Sequence, residues 1–123
     1  MEGMTKKFDV KALDQQVNWL NEFLENFLRT KSKIKQALHR HFDSCKANDY
    51  DDGIKKFNLG RWGGGTVNPT VEIVQVEGEL KFATTRYGVL APLNKLDCNR
   101  PEVKTTIMNF FINPAKYFPE ESH

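Results

Sequence analysis

Residues 4 to 52 contain neither glycine nor proline, while the chain from Gly53 onward holds seven of the eight glycines and all five prolines. A segment without either residue has no inexpensive way to turn sharply. It therefore reads as helix, and the region near Gly53 divides one domain into halves that follow different rules.

The first half, residues 9–47, is helical on local criteria. Asp9 caps the start, Asp14, Glu22 and Glu25 suit the positive end of the dipole, and Arg40 and Lys46 suit the negative end. Alternating steps of three and four run through Val10, Leu13, Val17, Leu20, Leu24, Phe27, Lys31, Ile34, Leu38, His41 and Cys45. Nine of these eleven positions are apolar, a heptad-like stripe that Trp19, Phe23, Leu28 and Phe42 widen. Thirty-six helical residues would run about 54 Å, longer than a compact domain of this size is wide. Either the helix folds back near Thr30–Ser32, or it projects and pairs with a second copy. "RTKSK" lacks turn chemistry, which favours one long helix and a homodimer or higher oligomer. An antiparallel pair would set the early acids against the late bases Arg29, Lys31, Lys33, Lys35 and Arg40.

Residues 48–69 read as a glycine-rich linker, with room for a short strand at Ile54–Phe57. Period-two alternation then begins in "TVEIVQV", Thr70 to Val76, with Val71 and Ile73 on one side. "EGE" at Glu77–Glu79 is a hairpin turn, and "LKFATTRYGVL", Leu80 to Leu90, is the return strand. "APLNKLDCNRP" is irregular. Asn99 and Pro101 open a short element whose Val103, Ile107, Phe110 and Phe111 fit a helical face, although the β-branched Thr105–Ile107 run argues for strand. Asn113–Pro114 ends it. Residues 1–8 and 119–123 read as loose ends. The expectation is one α+β domain: a long N-terminal helix or helical hairpin on a small antiparallel sheet, with a short C-terminal helix.

No apolar run approaches the ~18 residues of a membrane span and no signal-peptide core is visible, so a cytoplasmic protein without a membrane partner is expected. Cys45 and Cys98 are unpatterned, which reads as reduced thiols. His41 and Cys45 lie four apart, with Cys98 as a third metal ligand. Both helical positions belong to the apolar stripe, so core packing accounts for them and no metal is expected. Ser32, Ser44 and Ser122 lack a glycine-flanked nucleophile turn, and Asp51, Asp52, Glu77 and Glu79 stand in turns. No catalytic set and no cofactor are expected.

Binding has better candidates. In "GRWGGGTVNP", Gly63, Gly64 and Gly65 let backbone N–H groups converge on an anion, Arg61 can neutralise a phosphate, and Trp62 can stack on a base. Neither the P-loop nor the dinucleotide fingerprint is present. "TTRYG" adds Thr85, Arg86 and Tyr87 at a strand end. Together these residues point to non-enzymatic capture of an anionic small molecule such as a nucleotide, a reading strengthened if Arg61 and Arg86 converge. The plain alternative is a connector whose Trp62 plugs the core. Two other functions fit the composition: an inhibitor or adaptor of the phage-encoded or immunity type acting on another protein, or a nucleic-acid binder using the basic run from Arg29 to Arg40.

Overall fold

A computed structural model of the chain describes residues 17–44, 54–62, 69–86 and 89–118. Two helices, α1 (Val17–Thr30) and α2 (Ser32–Ser44), precede a sheet of β1 (Lys56–Arg61), β2 (Thr70–Val76), β3 (Glu79–Arg86) and β4 (Val89–Pro92). A single turn of helix, α3 (Lys95–Cys98), leads into α4 (Pro101–Ile112) and a 3-10 turn at Pro114–Lys116. The strands form an antiparallel meander in the order β1-β2-β3-β4. This is the expected α+β architecture.

The helical stripe breaks at Lys31. Helical hydrogen bonds persist on both sides, with Lys31 N donating to Phe27 O at 2.9 Å and Lys35 N to Lys31 O at 3.0 Å. Lys31 is exposed in the middle of an otherwise apolar row, so nothing at that position holds the helix to the core. On either side the row is buried: Leu20, Leu24 and Leu38 are fully covered, and Leu28, Ile34 and Phe42 nearly so. The chain's own sheet and α4 complete this packing. Val10, Leu13 and Cys45, the remaining positions of the stripe, lie outside the described residues.

By alternation, Phe57, Val71, Ile73, Phe82 and Thr84 share the sheet face that carries the helices. Phe111 on α4 contacts Phe23 of α1 and Phe82 of β3, with ring centroids 4.8 and 5.7 Å away. Helix α4 opens on Pro101 at its first turn. Thr106 is tolerated there because its hydroxyl donates to Glu102 O at 2.8 Å. Its methyl group lies where a Cβ on Gly60 would sit 3.4 Å away. Gly60 follows a bulge that leaves Leu59 without an opposite number on β2, and its φ of 156° suits glycine.

Two helix side chains close the open sheet edges. The His41 Nε2–H donates to Lys56 O at 2.8 Å on the outer side of β1. Phe82 N donates to Asn21 Oδ1 at 3.0 Å, where β3 runs past the end of β4. Backbone groups left open at such edges invite pairing with another chain. His41 thus docks α2 on the sheet, the core role expected for it.

Three segments depart from the expectations. β1 continues through Gly60 and Arg61, inside the region read as linker. The single return strand is two strands, β3 and β4, because Arg86 pairs with Val89 and leaves only residues 87 and 88 to connect them. The irregular stretch contains α3, started by a capping box. Asp97 N donates to Asn94 Oδ1 at 2.9 Å, and Asn94 N donates to Asp97 Oδ2 at 3.2 Å.

The β2–β3 turn carries a testable strain. Val76 pairs with Glu79, and the two residues between, Glu77 and Gly78, have φ of 51° and 83°. Positive φ at both positions is the type I′ pattern that favours Asn-Gly. Glu77→Asn is expected to raise the unfolding free energy by ~0.5–1 kcal/mol, read as a higher urea midpoint at unchanged slope.

Candidate functional site at the Trp62 end of the sheet

Strand alternation divides the residues that the sequence groups together. Arg61 lies opposite Thr70, and Thr70 opposite Thr85, so these three share the face away from the helices. Trp62 and Arg86, one position on, fall on the helix-covered face. Arg61 and Arg86 therefore do not converge, because adjacent positions on paired strands point to opposite sides. Gly63, Gly64, Gly65 and Tyr87 lie outside the described residues.

On the helix-covered face, Trp62 is the hub. It is 5% exposed, and its backbone N–H donates to Pro69 O at 2.9 Å, closing the mouth between β1 and β2. Two guanidiniums lie over its ring, Arg86 at 5.2 Å and Arg100 at 5.4 Å from the centroid. The ring is thus nearly buried and met by two cations. Its remaining polar group, the indole Nε1–H, is buried with no hydrogen-bond partner among the described residues.

Arg86 reaches the site from the end of β3. One Nη2 hydrogen bond joins it to Asp97 Oδ1, an ion pair in which the Asp97 side chain is 2% exposed and Arg86 is 42% exposed. The other carboxylate oxygen of Asp97 is held by the α3 capping box. Arg86 Nε, like Trp62 Nε1, is buried and unpartnered. Arg100 is the N-cap residue of α4 and makes no side-chain cap hydrogen bond. Its backbone N–H donates to Asp97 O at 3.0 Å, so the turn that positions Asp97 also delivers Arg100. The cluster therefore holds two guanidiniums against one carboxylate, with two unused N–H donors. Such an arrangement attracts a group with negative charge and several acceptor oxygens.

Asp97 and Arg100 were not legible as site residues. The signal for Asp97 was the Asn94-x-x-Asp97 spacing of a capping box, and the signal for Arg100 was Pro101, which fixes the helix start one residue later.

Other features are placed elsewhere. A cleft of about 220 Å³ lies at the opposite end of the sheet, lined by Asn18, Asn21, Glu22, Glu25, Glu79 and Lys81; its three carboxylates disfavour an anion. Lys31, Lys33 and Lys35 are exposed around the α1–α2 break. Cys98 is buried, whereas Cys45 lies outside the described residues. Among the described residues no group of three His, Cys, Asp or Glu side chains is placed to hold a metal, and no helix is long and apolar enough to cross a membrane. Compared with protein-family models, curated proteins and solved structures, the chain matches none.

Proposed function

We propose that this is a binding protein that captures a small molecule through an anionic group, a phosphate or a carboxylate, at Trp62, Arg86 and Arg100. The observation that carries the reading is the pair of buried donors without a partner among the described residues, Trp62 Nε1 and Arg86 Nε, where two guanidiniums meet the Trp62 ring and only Arg86 is paired with a carboxylate. Buried donors are normally paired, and leaving one open is costly. An oxyanion supplies both acceptors and balances the excess positive charge. The cluster contains no nucleophile set beside a base, so its chemistry is capture without turnover. A nucleotide remains a fitting ligand through its phosphate, with recognition falling on the anionic group rather than on base stacking at Trp62.

Calorimetric titration with inorganic phosphate, acetate and a nucleoside monophosphate tests this. At least one is expected to bind the unmodified protein. Arg100→Ala is expected to weaken that binding about tenfold, the loss of one charge-assisted contact. Trp62→Phe keeps a smaller aromatic ring, removes the N–H and is expected to weaken binding as well, while Arg61→Ala, on the far face, leaves it unchanged. Silence from all three anions, or equal affinity in Arg100→Ala, rejects the assignment.

A further inference from the structure

The opposite face of the same sheet end carries the complementary anomaly. Glu72 is 6% exposed. One of its oxygens, Oε2, accepts a hydrogen bond from Thr70 Oγ1 at 2.7 Å, and the other, Oε1, is buried with no partner. Among the described residues no cation is paired with this carboxylate. Thr85 Oγ1 is also buried and unpartnered. The register sets Thr85 directly across from Thr70 on the adjoining strand, and Thr70 and Glu72 are two positions apart on one face of β2. Four side-chain oxygens and one negative charge are therefore gathered in a patch where Val74 and Ala83 are buried too.

A carboxylate shielded from water is expensive unless something compensates its charge. From this juxtaposition we infer that Glu72, Thr70 and Thr85 form a site for a small monovalent cation, an alkali-metal ion or ammonium. Size and charge select this class. At 6% exposure, Glu72 does not admit a long ammonium-bearing side chain. A single carboxylate balances one positive charge, and divalent calcium or magnesium demands a fuller set of oxygens and more negative charge. Carboxylate and hydroxyl oxygens are hard ligands suited to such ions. Arg61, on the same face but exposed at the strand end, sets a positive rim outside the site. The inference does not depend on the anion site, which uses other residues on the other face.

The test is thermal unfolding in sodium, potassium, ammonium or choline chloride at one ionic strength. Choline is too large to enter and controls for screening. At 100 mM salt, at least one small cation is expected to raise the midpoint by about 3 °C or more over choline, as ligands that bind the folded state do. Comparing the three small ions identifies which the site prefers. Glu72→Gln keeps the shape and is expected to abolish the difference. Thr85→Val, which removes one oxygen from a β-compatible position, is expected to reduce it, and serves alone if Glu72→Gln does not fold. Equal midpoints in all four salts overturn the inference, as does an ion-specific rise that persists unchanged in both variants.

Discussion

Arg86→Ala is expected to lower the unfolding free energy by ~3–5 kcal/mol, the range for removing one partner from a buried ion pair. The asymmetry of burial sets the size of the effect. Asp97 is almost fully enclosed, whereas 42% of the Arg86 side chain remains exposed. Deleting Arg86 leaves that enclosed carboxylate without its cation. The α3 capping box still supplies a backbone N–H from Asn94 to Asp97, but that bond carries no positive charge. Trp62 loses one of its two covering guanidiniums in the same step. Arg61→Ala is the matched control: its side chain is exposed at the end of β1, and the expected change is within ~0.5 kcal/mol. Urea denaturation of both variants reads the difference, and a loss below ~1 kcal/mol for Arg86→Ala would show that solvent screens the pair.

That contrast marks where sequence reading succeeds and stops. Helix and strand followed from periodicity: steps of three and four, as in Val17, Leu20, Leu24 and Phe27, keep one face on a helix but not on a strand, whereas Val71 and Ile73 share one face of a strand. The break at Lys31 departs from the single long helix that the lack of turn chemistry in "RTKSK" favours, and falls where a lysine interrupts the apolar row. The β3–β4 reversal was missed because eleven residues with strand propensity concealed the Tyr87–Gly88 pair between two halves. The candidate site was half legible. Arg61, Trp62, Thr85 and Arg86 do lie at one end of the sheet, but pairing register, which a single sequence does not reveal, sends them to opposite faces. Arg100 and Asp97 join Trp62 only through tertiary contact. Nothing within their own segment marks them as its neighbours.

The second large effect belongs to the core. Phe110→Ala is expected to cost ~3–5 kcal/mol. Phe110 is wholly buried, and its ring lies 5.6 Å from Phe27 on α1, 5.6 Å from Phe111, 5.8 Å from Tyr117 and 6.5 Å from Phe118. It therefore ties the N-terminal helices to α4 and to the turn that follows. Phe118 in turn stacks on Phe57 of β1, 4.9 Å away, so a cavity at Phe110 loosens contacts that reach the sheet. Burial there also pushes the Tyr117 phenol above its ordinary pKa. Phe110→Leu restores much of the lost volume and is expected to recover a large part of the deficit. Ile112, two residues along the same helix, is 67% exposed, and its alanine variant is expected to change stability by no more than ~0.5 kcal/mol. The two positions differ by about 200° around the helix axis, so denaturation of Phe110→Ala and Ile112→Ala measures which face of α4 meets the sheet. Equal losses at the two sites would reject the helix orientation that brings Arg100 over Trp62.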